Sequence, residues 1–249
     1  GLQPLQSFKD LLKGATIGTS SLRRSCQLLS IRPDLKIEQL RGNLDTRLRK
    51  LDDGQFDAII LAAAGIKRLG WAERITEILE PEISLPAIGQ GAVGIECRIN
   101  DEFINNLIAP LSHPETDICV RAERAFLKKL KGGCQVPIAA YARIKDSNEL
   151  SVTGNIKDSD ELRVMSNKYN NKKDSLNKLV TNNSLLVTVV KDSLLVTVVK
   201  DSLLVMDGLV GSVLGDKIVK GRIEGTSNDA ENLGIRLAED ILSRGAKEI

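Results

Sequence analysis

The stretch "ATIGTSSLRRSCQLLSI" (residues 15–31) decides the fold. A short apolar run around Ile17 gives way to Gly18 and the hydroxyl-bearing Thr19 and Ser20. That pattern reads as a strand entering a turn, and "SLRRSCQLLSI" (21–31) reads as the helix after it. The alternation continues with a strand at "LKIEQLR" (35–41), the turn residues Gly42 and Asn43, and a helix at "LDTRLRKLDDG" (44–54). Next, "DAIILAAAGIKRLG" (57–70) reads as a buried strand passing into a charged turn and helix. Strands and helices alternating at this spacing predict a parallel α/β sheet.

Beyond residue 80 the pattern changes. The Pro- and Gly-punctuated "EPEISLPAIGQGAVGIECR" (80–98) reads as a hinge leading into an extended run at 92–98. Residues 101–131 are expected to be mainly helical, with apolar positions at Ile118, Ala122, Ala125, Phe126 and Leu130, and with Gly132 and Gly133 ending the helix. An alternating strand is expected at "VPIAAYARIK" (136–145), with "ELSVTGNI" (149–156) as its hairpin partner. The chain closes with a strand at 216–225 and a helix at 229–249, whose inner side carries Leu233, Ile235, Leu237, Ile241 and Leu242.

Between 173 and 208 the chain repeats itself every nine residues: "KDSLNKLVT", "NNSLLVTVV", "KDSLLVTVV", "KDSLLVMDG". An odd period does not keep one face of a strand in phase from copy to copy. The repeat is therefore read as a tandem duplication carried in a loop between two strands, with a functional β-ribbon as the alternative. Its apolar, β-prone and weakly charged copies are an aggregation hazard wherever they are not packed.

Composition narrows the chemistry. The 249 residues carry 35 basic and 33 acidic side chains, a net charge of +2, which demands neither nucleic acid nor an anionic membrane. Four cysteines, Cys26, Cys97, Cys119 and Cys134, lie far apart without a CxxC pair, and His113 is the sole histidine. A disulfide-dense scaffold, a structural zinc site and a histidine-based triad are disfavoured. No apolar run reaches the length of a membrane span, so a cytoplasmic protein is expected.

Arginines recur just past the expected strand ends: Arg23 and Arg24, Arg41 and Arg47, and Arg68. In a parallel sheet the ligand crevice lies beyond the C-terminal ends of the strands, so these side chains are expected to share one crevice, the alternative for each being a solvated helix face. The helix beginning near Ser20 and Ser21 adds hydroxyls and free backbone N–H groups to the same edge. Guanidinium forks bind carboxylates and phosphates bidentately, so a polycarboxylate or phosphate ligand is the implied class. A nucleic-acid site would want a broader basic surface, and the aromatic residues (Phe8, Phe56, Trp71, Phe103, Phe126, Tyr141 and Tyr169) are not interleaved with the basic runs.

Cys134 follows two glycines at the end of a charged helix. That position does not favour a thiolate activated by a helix N-terminus. Burial as a core residue is one reading, and an exposed thiol on a Gly-Gly loop, open to modification, is the other.

In combination, "IGTSSLRR" (17–24), "LRGNLDTRL" (40–48), "DAIILAAAGIKRLG" (57–70), "EISLPAIGQGAVGIECR" (82–98), "AERAFLKKLKGGCQVPIAAYA" (122–142) and "AENLGIRLAEDILSRGAKEI" (230–249) resemble the porphobilinogen deaminase, or hydroxymethylbilane synthase, family. The resemblance implies an α/β fold: a periplasmic-binding-protein-like parallel-sheet domain followed by a small α+β C-terminal domain. It divides the chain into a substrate-binding domain at 1–87, a hinge and remnant of a first domain at 88–117, and a cofactor-attachment domain at 118–249 with the repeat inserted at about 173–208.

The resemblance also implies stepwise condensation of four porphobilinogen units with release of ammonia, in tetrapyrrole and haem synthesis. It places a dipyrromethane cofactor on Cys134 through a thioether. Ser20, Arg23, Arg24, Arg41, Arg47 and Arg68 fall on substrate- or cofactor-binding positions, facing the acetate and propionate of each pyrrole. A monomer needing neither metal nor nucleic acid is implied. The family's catalytic aspartate lies in a lysine-aspartate motif that nothing in 1–249 matches. This chain alone is therefore expected to be inactive or nearly so, with a separate N-terminal domain as a candidate partner. The alternative is a non-catalytic truncated or decayed-gene product that keeps an anion-binding domain.

Overall fold

The computed structural model describes residues 7–131, 136–145 and 202–249, together with the backbone of 185–190 and 193–198. In the first part, β1 (Thr16–Gly18), α1 (Leu22–Ile31), β2 (Lys36–Glu38), α2 (Leu44–Asp52), β3 (Ala58–Ile59) and α3 (Ala63–Arg68) follow in the expected order. The three strands are parallel in the order β2-β1-β3, with Ile17 beside Ile37 on one side and Ala58 on the other. Ile17 and Leu28 are fully buried and join Phe8, Leu11, Ala15 and Leu35 in one core. β3 was expected to be buried, yet Ala58, Ile59 and Ile60 are only half-buried, as befits an edge strand of a three-stranded sheet.

The first two helices start at side-chain caps, whereas α3 starts at Ala62 without one. The Ser21 side chain accepts from the Arg24 N–H at α1, and Asn43 accepts from the Thr46 N–H at α2. Arg32, just after α1, fastens the chain entering β1: it forks onto Asp34 and donates to the carbonyls of Lys9, Leu11 and Leu12.

Residues 92–98, expected to form an extended run, belong to no strand or helix. They lead to α4 (Glu102–Ile108) and α5 (Pro114–Leu130). Val93, Ile99 and Phe103 are 92%, 89% and 75% exposed, so this stretch contributes little to either core. α5 does not need a glycine to stop: Lys131 itself takes the left-handed conformation at φ 53°. A basic residue there also suits the negative end of the helix dipole.

The second sheet is antiparallel in the order β4-β7-β8, formed by β4 (Ile138–Lys145), β7 (Leu203–Gly211) and β8 (Ile218–Thr226). α5 and the closing helix α6 (Ala230–Ser243) cover one face. Phe126, Leu204, Met206, Leu233, Leu237 and Ile241 are buried between them. Ile235 and Leu242, expected on the inner side of α6, are half-exposed flanks, while Ala230, Gly234 and Ala238 make the close contact. The other sheet face meets α1: Ala139 and Leu209 pack with Cys26 and Leu85. With both faces covered, β7 is apolar on both sides, which explains why it reads as a continuous run.

The repeat departs from expectation. Leu203–Gly208 of its fourth copy supply the opening of β7, the central strand of this sheet. The segment 149–156, expected to pair with β4, lies outside the described residues, and the strand that pairs along β4 is β7. The second and third copies contribute β5 (Leu185–Val190) and β6 (Ser193–Val198), an antiparallel pair.

Where those copies carry Thr-Val-Val, the fourth carries Met206-Asp207-Gly208. Met206 is fully buried, Asp207 pairs with Arg143 at 2.7 Å, and a Cβ on Gly208 would stand 2.8 Å from the Phe126 ring. Those three residues make the fourth copy, and not its neighbours, fit the core. Deleting residues 182–199 should therefore leave β7 intact and move the thermal transition by no more than about 3 °C. Loss of a cooperative transition in calorimetry would contradict this.

Candidate functional site

The loops after β1 and β3 leave the C-terminal edge of the parallel sheet side by side. β1 connects to β2 on one flank while β3 lies on the other, which is the topological switch where open α/β sheets bind ligands. A crevice of about 210 Å³ opens there, lined by Arg23, Arg24, Ile60, Ala62, Ser84 and Gln90 among others. The first turn of α1 carries both arginines into it.

Both guanidiniums are oriented by backbone oxygens. Arg24 donates to the Ile60 carbonyl at 3.0 Å, and Arg23 donates to the Leu85 carbonyl and, at 3.2 Å, to Gln90 Oε1. Burial first, and then the neighbouring Arg24 charge, lower the pKa of Arg23 to about 10. The Arg24 pKa is lowered as well, first by burial and then by Arg47, so the Arg47 charge reaches the same place. Even so, both side chains keep their charge at neutral pH.

Glu77 lines the crevice too, but its carboxylate is turned away and accepts from Ser7 Oγ and the Phe8 N–H. Among the described residues none of Arg23, Arg24, Arg41, Arg47 and Arg68 forms an ion pair. Clustered, partly desolvated cations without carboxylates of their own favour an incoming anion.

The remaining expected site residues are dispersed. Ser20 is exposed, and its hydroxyl donates to the Leu40 carbonyl at 2.8 Å. Arg47 is half-buried and donates from Nε to the Gly42 carbonyl at 2.8 Å. Arg41 and Arg68 are exposed and do not line the crevice. Cys134 lies outside the described residues, between the end of α5 and the start of β4.

Of the cysteines described, Cys26 is buried, and that burial pushes its thiol up to about 11. Cys119 is half-buried and also raised, chiefly by burial, whereas Cys97 is exposed. Neither raised thiol is a ready nucleophile. No group of three or more potential metal-ligating side chains occurs among the described residues, and no helix there is long and apolar enough to cross a membrane.

A second hollow, of about 190 Å³, is lined largely by apolar side chains such as Phe8, Leu11, Leu48, Leu51 and Ile66. It lacks the convergent cations of the arginine crevice. One residue behind that crevice escaped the sequence reading: Gln27, 1% exposed, brackets Leu85 by accepting its N–H at 2.8 Å and donating to its carbonyl at 3.2 Å. Its only sequence signal is a polar residue on the apolar side of α1.

Two family models match this chain. Residues 3–106, which contain the whole crevice, match the porphobilinogen deaminase dipyrromethane cofactor binding domain. Residues 117–185 match the porphobilinogen deaminase C-terminal domain, beginning within α5 and running through β4. Taken with an arginine-lined crevice at the switch point of the parallel sheet, these consecutive matches mean that the chain belongs to the porphobilinogen deaminase family.

Proposed function

We propose that this chain binds the carboxylated pyrroles of hydroxymethylbilane synthesis in the Arg23–Arg24 crevice and carries the dipyrromethane cofactor on Cys134. One observation carries the reading: two half-buried guanidiniums, without ion-pair partners among the described residues, sit together at the switch point of the sheet. Arg47, whose charge acts on Arg24, is the next cation a longer pyrrole chain meets. Ser20, Arg41 and Arg68 are assigned to the outer part of the same binding track.

The donor set fits the cofactor. Acetate and propionate groups on adjacent rings are short, flexible carboxylates, and planar guanidiniums accept them in bidentate pairs. Bound cofactor supplies the pyrrole end from which the chain grows. The residues here bind and orient: Arg23 and Arg24 neutralise ring carboxylates, and the Ile60, Leu85 and Gln90 oxygens keep the forks aimed before ligand arrives. Arginine, unlike lysine, keeps its charge despite this burial.

The three divisions at 1–87, 88–117 and 118–249 are assigned as substrate-binding, hinge with first-domain remnant, and cofactor-attachment parts. The exposed apolar side chains of Val93, Ile99 and Phe103 support placing the middle segment against further protein. Because no residue of these 249 matches the family's aspartate motif, the chain assayed alone is expected to consume little or no porphobilinogen.

Intact-mass measurement of the chain purified from a tetrapyrrole-making host tests the cofactor assignment. A dipyrromethane adduct is expected, and it should be absent from Cys134→Ser. An unmodified wild-type chain, or an adduct that survives in Cys134→Ser, would overturn the assignment.

A further inference from the structure

Glu123 is a carboxylate on the apolar side of α5, 5% exposed, with no cation against it among the described residues. Its two oxygens accept from two backbone N–H groups that belong to different parts of the molecule. Oε1 takes Ala142 of β4 at 2.8 Å, and Oε2 takes Gly89 at 2.6 Å. Gly89 belongs to the strap, residues 85–90, that joins the parallel-sheet part to the rest.

The strap in turn holds the crevice. Gln90, the next residue, accepts from the Ala87 N–H at 3.1 Å and from Arg23 at 3.2 Å, through the same Oε1. Five residues earlier, the Leu85 carbonyl accepts from the other terminal nitrogen of Arg23. Leu85 is fixed by Gln27, so one end of the strap is clamped by α1 and the other by α5. Arg23 lies across the span between the clamps.

We infer that Glu123 is a positioning residue for the anion crevice: by gripping Gly89 it sets the strap, and the strap oxygens of Gln90 and Leu85 set the guanidinium of Arg23. A buried carboxylate that pairs with no cation costs stability, and an apolar side chain would fill the same space without that cost. What the apolar side chain cannot do is tie β4 and the strap to one point. Burial raises the Glu123 pKa and the two N–H donors oppose that rise, which is the expected electrostatic state of such a clamp.

The inference rests on the reading of Arg23 as a carboxylate ligand, and the test separates the two. Nitrogen-15 NMR of the full chain without ligand follows the Gly89 and Ala142 amides and the Arg23 Nε–H signal in wild type, Glu123→Gln and Gln90→Leu. Leu233→Ala serves as a control that loosens the same helix core without touching the strap. Calorimetric titration with porphobilinogen supplies the affinity.

Glu123→Gln should move all three signals and weaken porphobilinogen binding about tenfold, the scale of one charge-assisted hydrogen bond. In an Arg23→Leu background the same change should add nothing further, because both act through one group. Gln90→Leu, which leaves the clamp intact, should move the Arg23 signal while the Ala142 amide stays put. Leu233→Ala should leave the Arg23 signal in place. An Arg23 signal unmoved in folded Glu123→Gln, or unmoved in Gln90→Leu, overturns the inference. If the Arg23 signal moves as expected while wild type fails to bind porphobilinogen, the positioning role stands and the reading of the crevice falls.

Discussion

Replacing Gly234 with alanine is expected to lower the thermal transition of the C-terminal part by about 5 °C or more. α5 and α6 touch backbone to backbone at this residue: a Cβ on Gly234 would lie 2.1 Å from the Ala122 carbonyl oxygen and 3.0 Å from the Phe126 nitrogen. Neither neighbour is the end of a flexible side chain, so the helices themselves must part. Alanine is the better helix former by about 1 kcal/mol, which opposes the effect. Overpacking a close contact costs about 1–3 kcal/mol, and here it also loosens Phe126, Leu233 and Leu237, all fully buried. A 2.1 Å approach to backbone belongs at the upper end of that range, so the packing term wins, with a net loss of about 2 kcal/mol. A transition unchanged or raised in calorimetry would show that the helices cross less tightly than described.

The second large effect concerns the ligand. Arg24→Leu should weaken porphobilinogen binding by roughly 10- to 100-fold, the range for losing a hydrogen-bonded charge pair in a partly desolvated site. Arg24→Lys should recover only part of this, since an ammonium keeps the charge but lacks the planar fork that donates to the Ile60 carbonyl and still presents N–H groups to a ligand. The leucine variant is not expected to unfold, because the Arg24 side chain is only half-buried and belongs to neither apolar core. Equal affinities for wild type and both variants would remove Arg24 from the site.

The sequence carried the first sheet well because its strands and helices alternate in short units. Ser21 and Asn43, placed by the sequence at the starts of α1 and α2, act as their caps, and Arg23 and Arg24 follow β1 into the crevice. It carried the second sheet less well. The opening of β7 was hidden because it is a repeat copy whose neighbours look almost identical, and only Met206, Asp207 and Gly208 mark it as part of a core strand. Those marks are tertiary: their meaning depends on Phe126 and Arg143, far away in the chain.

Residues that position the site were harder still. Gln27, Gln90 and Glu123 act through hydrogen bonds to backbone atoms 58, 67 and 34 residues distant or to side chains of such partners, and periodicity says nothing about those distances. Composition misleads here as well, because a glutamate on a helix with many charged residues reads as solvated until its neighbours are known. Arg41 and Arg68 show the converse: strand-end position alone placed them in the crevice, yet both project outside its lining.

The most direct test of the account is a calorimetric titration of porphobilinogen into the full chain at low and at moderate salt, beside the Arg23→Leu/Arg24→Leu double variant. Saturable binding that weakens as salt rises, and that disappears in a double variant with an unchanged thermal transition, is the predicted result. A folded wild-type chain that binds no porphobilinogen, or binds it equally well without the two arginines, would contradict the claim that this crevice holds the pyrrole carboxylates.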